Sequence, residues 1–188
     1  MSMIDDIYKD LRDSIAKAHE AFRRDLSKVR TGRANAAMLD PVRVDYYGST
    51  TPISQMATVS TPEPRLLTVK PWDRSAVKAV EKAIREADLG LNPQTDGDLI
   101  RVPIPPLTEE RRKEMVKLAK KFSEESKVSV RNARRDALEL ISDMVKDGDA
   151  SEDEGDRAKK KVEEIVVEGI KQVDALLSHK EKDVLDVG

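Results

Sequence analysis

Six cations recur at helical spacing along one stretch of this chain: Lys113, Lys117, Lys120, Lys127, Arg131 and Arg134. Their steps of four, three, seven, four and three put them on one side of an α-helix, with Glu124 at the step the longer gap skips. Residues 109–136 hold ten Lys/Arg against six Asp/Glu, a net of +4, while residues 137–188 hold eight against fifteen, a net of −7. The whole chain carries −2, so the stripe is a local concentration rather than a consequence of composition. The chemistry it offers is recognition of a polyanion. For Lys113, Lys117, Lys120 and Lys121 alone, a merely solvated helix face explains the charges equally well. Arg131, Arg134 and Arg135 are harder to dismiss. Planar guanidinium forks engage phosphate oxygens two at a time, and three of them fall within about one and a half turns beside a single acid, Asp136. Arg23, Arg24, Arg30 and Arg33 extend the field if the faces align.

Aromatic residues make up only 3% of the chain, too few for a base-stacking platform, and no helix-turn-helix spacing is present. The backbone of structured RNA, met by a rigid helix face, is the partner this pattern suits. Enzyme signatures are missing. There is no GxxxxGK[ST], GxGxxG or nucleophile elbow, and no cysteine for thiolate or disulfide chemistry. The two histidines, His19 and His179, fall on different helices and read as surface or bundle-flank residues. The acidic run from Asp147 to Asp153 mimics a calcium loop at its first positions. It then places Glu152 where glycine is needed and Ala158 where glutamate is needed, so it reads as a solvated turn. No metal or cofactor is expected.

A charged stripe needs a stiff element beneath it, and the sequence supplies long ones. Ile4, Ile7, Leu11, Ile15, Ala18, Phe22, Leu26 and Val29 form one apolar face over about 28 residues, stopping near Gly32. A second helix starts after Pro103, Pro105 and Pro106 with Thr108 as N-cap and Glu109 and Glu110 at its positive end. Its apolar face reads Met115, Leu118, Phe122, Val130, Ala133, Ala137, Leu140 or Ile141, and Met144, with Ser126, Ser129, Ala133 and Ala137 small enough for close helix approach. Gly148 ends it. Ser151-Glu152-Asp153-Glu154 has capping-box spacing and opens a third helix, faced by Val162, Ile165, Val166, Ile170, Val173, Leu176 and Leu177. Gly155 in its first turn has no local rationale. Three such amphipathic helices bury their faces most simply as a three-helix bundle. With 37% charged residues against 38% hydrophobic, long charged helices are the expected economy of this chain.

Residues 34–105 follow other rules. Val42 to Tyr47 alternates apolar and polar before Gly48-Ser49, residues 65–70 are β-like between prolines, and residues 99–104 form a last strand after Asp96-Gly97. Between them Asp73 caps a helix faced by Val77, Val80, Ile84 and Ala87 and ended by Gly90. The expectation is an α+β chain of two domains: a bundle from residues 1–30 plus 106–188, and an inserted β/α/β domain, residues 31–105. Two short crossings join them, Arg30-Thr31-Gly32-Arg33 and Val102 to Pro106, an arrangement that permits restricted hinge rotation. No run of about 18 apolar residues could span a membrane, and the acidic start Met1 to Asp6 is unlike a signal peptide, so the expected setting is cytoplasmic.

These residues resemble those of the ribosome recycling factor family. The matching runs are Lys28-Val29-Arg30-Thr31-Gly32-Arg33-Ala34, Val44-Asp45-Tyr46-Tyr47-Gly48, Glu81-Lys82-Ala83-Ile84, Asp88-Leu89-Gly90-Leu91-Asn92-Pro93, residues 101–112 (RVPIPPLTEERR) and residues 130–137 (VRNARRDA). RVPIPPLTEERR is the most specific of them. The resemblance implies an L-shaped molecule with the small domain on a hinge formed by Arg30, Thr31, Gly32, Arg33, Pro103, Ile104, Pro105 and Pro106. It implies a non-enzymatic monomer that binds the post-termination ribosome and, with elongation factor G hydrolysing GTP, separates its subunits. Contacts to large-subunit ribosomal RNA would then involve Arg131 and its neighbours, giving the candidate set Arg30, Arg33, Arg111, Lys113, Lys117, Lys127, Arg131, Arg134 and Arg135. Two departures stand out: Ala36 where members often carry proline, and a Val187-Gly188 ending where they stop at a hydrophobic residue. A coiled-coil adaptor or chaperone-like scaffold is the alternative; it would self-associate and show no salt-sensitive ribosome binding.

Overall fold

The computed structural model describes residues 2–186, so the Val187-Gly188 ending lies outside the described residues. Three long helices and a small sheet domain separate into two compact units. One comprises the residues up to Thr31 together with those from Glu109 onward; the other is Gly32–Thr108.

Helix α1 (Met3–Ser27) starts at a capping box in which Ser2 Oγ accepts from the Asp5 amide at 3.1 Å and the Asp5 carboxylate accepts from the Ser2 amide at 3.2 Å. It is 25 residues long, shorter than the apolar periodicity promised. The Lys28 amide turns back to Asp25 and Leu26, and Val29 is buried after the helix has ended. Helix α3 (Glu109–Lys146) and helix α4 (Glu152–Leu185) are joined by a turn built on Gly148 at φ +79°. There the Asp149 amide reaches Met144 O and the Gly148 amide reaches Val145 O, the two bonds of a Schellman ending. Ser151 Oγ accepts from the Glu154 amide at 3.1 Å and opens α4.

Small residues set how these helices meet. On α3 the buried seam is Met115, Ala119, Ser123, Ser126, Val130, Ala137, Ile141 and Met144. Leu118, Phe122 and Ala133 sit at its margin, Leu140 is half exposed, and Ser129 faces out, bonding Glu125 O of its own helix. Ser126 Oγ instead reaches across to Ala18 O of α1 at 3.4 Å. Gly155 now has its reason: a β-carbon there would lie 2.5 Å from Val145 Cγ2. Gly169 lets α1 approach in the same way, since a β-carbon would lie 2.9 Å from Ile15 Cγ2. One turn on from Ile15, His19 is 95% buried with Nε2 2.8 Å from Gly169 O, where it donates as the Nε2–H tautomer. The surface or flank position expected for this histidine is therefore wrong. An imidazole can sit in an apolar seam when a backbone carbonyl takes its proton, and Gly169 leaves its carbonyl open to that approach.

The inserted unit is richer in strands than its sequence suggested. β1 (Arg43–Tyr46) and β2 (Ser49–Pro52) form an antiparallel hairpin, while β3 (Ala57–Glu63), β4 (Leu66–Pro71), β5 (Gln94–Asp96) and β6 (Leu99–Pro103) form an antiparallel sheet in the order β3-β4-β6-β5. Pairing of Leu67 with Val102 and of Val69 with Ile100 places four apolar side chains on one face, fully buried with Val44 and with Val80 and Ile84 of helix α2 (Val77–Glu86). Asp73 caps a single 3-10 turn, Arg74–Ala76, rather than α2 itself. Its carboxylate also accepts from Tyr46 Oη at 2.8 Å, pinning the first hairpin to the end of β4, and that bond pushes the phenol up to about 12.

The second crossing begins later than expected. Pro103 pairs with Leu66 at the end of β6, and Ile104 is buried with its amide donating to Arg65 O at 2.8 Å. Both belong to the sheet domain. Proline is tolerated because β5 pairs only with Leu99 to Arg101, leaving the far side of Pro103 without a strand partner. Pro105, Pro106, Leu107 and Thr108 remain as connector, and Leu107 lies beside Gly32, whose φ of +76° suits glycine.

Replacing Gly155 by alanine should lower stability by about 1–3 kcal/mol, although alanine is the better helix former, because valine is stiff at χ1 and cannot swing clear. Thermal unfolding of Gly155→Ala with and without Val145→Ala checks it. Equal losses in both backgrounds would mean the 2.5 Å contact is not the cause.

Candidate nucleic-acid interface

Helix α3 carries most of the candidate cations, and its packing decides which of them can meet a partner. With the seam turned inward, Lys113, Lys117, Lys120, Arg131 and Arg135 are all exposed. Lys113 and Lys117, like Arg131 and Arg135, are i, i+4 neighbours on that outer face. Glu124 interrupts the face, and its nearest outward cation, Arg131, stays 3.9 Å away through Nη2. A bridge that long between exposed groups is weak, so Arg131 keeps its reach.

Lys127 and Arg134 sit at the edge of the face and turn toward α4. Lys127 Nζ lies 2.8 Å from Asp174 Oδ1, with its side chain only 19% exposed. Arg134 donates from Nε to Glu163 Oε1 at 2.7 Å. The ladder is what antiparallel helices produce: rising numbers on α3 meet falling numbers on α4. So the six-residue stripe divides. Four members look outward and two are held by carboxylates of the neighbouring helix, with Arg135 adding a fifth outward cation.

The remaining candidates are scattered. Arg111, in the first turn of α3, pairs with Glu114 at 2.6 Å. Arg30 is exposed beyond the end of α1, and Arg33 is exposed one residue inside the sheet unit. Arg23 pairs with Glu20 at 3.3 Å. The roles of Glu163 and Asp174 could not be read from sequence, because nothing in an acidic helix says which of its carboxylates will face a cation. Among the described residues no three His, Cys, Asp or Glu side chains cluster as metal ligands, and no helix is long and apolar enough to cross a membrane. His179 lies near Asp183, at 3.7 Å, and far along the sequence from His19.

A helical bundle with a sheet domain inserted between its first and second helices is also found in known proteins. Residues 22–185 match the family model described as ribosome recycling factor. This chain belongs to the ribosome recycling factor family. The family factor from Sorangium cellulosum is 68% identical over 98% of this chain and 100% of its own length, and that from Anaeromyxobacter dehalogenans is 55% identical over 99% of each. A solution structure of ribosome recycling factor, 41% identical, superposes with a TM-score of 0.75 and covers 100% of both chains. A second structure presents the T. thermophilus ribosome recycling factor and the E. coli elongation factor G bound to the E. coli post-termination complex; its matching chain is 43% identical, with a TM-score of 0.67 over 98% of this chain and 100% of that one. The family drawn from the motif residues is thus the one the whole chain matches. Ribosome recycling factors are translation factors, and the bundle with its inserted sheet domain is their fold.

Cations on the outer face and cations tied to α4 should separate in a stability assay. Lys117→Ala should leave the unfolding free energy within about 0.5 kcal/mol of the parent, while Lys127→Ala should cost about 1 kcal/mol through its lost stem packing and ion pair. Equal effects in chemical denaturation would contradict this division.

Proposed function

We propose that this chain acts as a monomer in the cytoplasm, binding the post-termination ribosome and separating its subunits together with elongation factor G and GTP. The observation that carries this reading is the outward basic face of α3, with Lys113, Lys117, Arg131 and Arg135 exposed on one rigid element. Such a face suits the phosphate backbone of large-subunit ribosomal RNA. Lysines there supply point charges and arginines supply two-point phosphate contacts. Arg30 and Arg33 extend the same chemistry to the first crossing, and Arg134 adds its free edge to the outer face. The chain itself catalyses no reaction in this scheme; hydrolysis of GTP belongs to the elongation factor, because no phosphate-cradling loop exists in this sequence.

Splitting needs force as well as binding. The bundle anchors and the sheet unit is pushed, so the two crossings form the hinge. Arg30, Thr31, Gly32 and Arg33 make one strand of it, and Pro105 and Pro106 make the other, now without Pro103 and Ile104, which are built into the sheet domain. Prolines narrow the backbone freedom of the connector, and a double crossing transmits torque better than a single flexible chain.

Two experiments test this. Arg131→Ala should weaken binding to isolated large subunits about tenfold and reduce the slope of log affinity against log salt by about 1, with helicity unchanged. Co-sedimentation across a salt series measures both, and an unaltered affinity and slope would sink the reading. Inserting two glycines between Pro106 and Leu107 should leave ribosome binding intact but abolish subunit splitting by elongation factor G and GTP. Full splitting by that variant would rule out a mechanical hinge.

A further inference from the structure

We propose that Glu163 of α4 is a positioning residue for the RNA-binding face, holding the Arg134 guanidinium by its Nε so that the opposite edge of the fork is presented to a phosphate. The inference rests on the reading of that face as the ribosomal RNA contact. Its basis is the single bond between Arg134 Nε and Glu163 Oε1, at 2.7 Å. Arginine can pair with a carboxylate through its Nε edge, through its terminal edge, or through both nitrogens of one side. Here only Nε is engaged. Nη1 and Nη2 make no other hydrogen bond or ion pair among the described residues, and the side chain keeps 43% of its surface exposed. The terminal edge, with two parallel N–H groups, is the one that matches a pair of phosphate oxygens.

The neighbours show what the anchor adds. Arg131 has only the loose 3.9 Å approach to Glu124, and no carboxylate lies within ion-pair distance of Arg135 among the described residues. Each must lose rotamer freedom along a long side chain when it binds, whereas Arg134 has lost much of that freedom beforehand. Lys127 offers a contrast. Asp174 takes the ammonium of a side chain only 19% exposed, and that point charge has no second edge to present. A carboxylate near a phosphate-binding face ought to repel RNA. Glu163 reverses that expectation by acting through Arg134.

This reversal makes the proposal testable by sign. Binding to isolated large ribosomal subunits is measured across a salt series for Arg134→Ala, Glu163→Ala, Glu163→Gln, the Arg134→Ala/Glu163→Ala double variant, and Glu168→Ala, an exposed α4 carboxylate with no ion pair among the described residues. Arg134→Ala should weaken binding about tenfold. Glu163→Ala should weaken it about threefold to fivefold although it removes a negative charge, while Glu163→Gln, whose amide oxygen still accepts from Nε, should stay within about twofold of the parent. The double variant should bind no worse than Arg134→Ala, and Glu168→Ala should bind as the parent or slightly tighter. The pair is nearly half exposed, so unfolding midpoints should remain within about 2 °C of the parent. Glu163→Ala binding as tightly as the parent or tighter, with Arg134→Ala weakened, overturns the positioning role and leaves the RNA face standing. A double variant weaker than Arg134→Ala also overturns it, since Glu163 would then act elsewhere. Unchanged binding by Arg134→Ala removes this arginine from the RNA face, and the proposal with it.

Discussion

Everything in the helical unit follows from how closely α4 can lie against its two neighbours. That distance is set where side chains are missing. Gly155 admits Val145 of α3 and Gly169 admits Ile15 of α1, each at a separation no β-carbon would allow. Glycine inside a helix costs roughly 1 kcal/mol relative to alanine, so two of them in one 34-residue helix are retained only for what they let approach. Close approach at these two points fixes the roll of each helix about its own axis. The roll of α3 in turn fixes which cations face solvent and which face α4. A rotation of about 40° would be enough to exchange Lys127 and Arg134 for others, because neighbouring i, i+4 positions differ by that angle.

The sequence displayed the long helices because each buries one stripe, and a stripe with a 3.6-residue period survives in the letters. Caps were equally plain: Ser151 and Gly148 do what their types predict. What could not be read was identity within a margin. Leu140 and Ile141 both suit the α3 stripe, and only packing against α4 selects Ile141 for the core and leaves its neighbour half exposed. Gly155 looked like a defect because its purpose lies in Val145, ten residues away along the chain and across a helix interface. His19 was misplaced for the same reason: its partner is a carbonyl 150 positions later.

Sheet edges were the other blind spot. β5 is three residues long with all three exposed, and β3 runs ATVSTPE with a proline near its end. Edge strands that face water on both sides carry no alternation to detect, and short polar or proline-bearing edges are how sheets avoid pairing with other chains. Strands β4 and β6 were legible because their inward residues, Leu67, Val69, Ile100 and Val102, must all be apolar. The same rule drew Ile104 out of the connector and into the core, which no count of prolines could foresee.

The candidate site was legible as a charge pattern and illegible as a geometry. Counting finds ten cations across residues 109–136, but a count treats Lys127 and Arg131 as equals. The fold does not. A lysine whose ammonium sits against Asp174 with 19% of its side chain exposed contributes first to holding α3 on α4, while Arg131 is left to the solvent side. Acid and base on adjacent helices therefore do two things with one set of contacts. They bind the helices in register, and they sort the stripe into structural and outward members. Two carboxylates of the acidic α4 do this sorting: without Asp174 and Glu163, Lys127 and Arg134 would be as free to wander as the outward cations, and a polyanion would meet a more diffuse face.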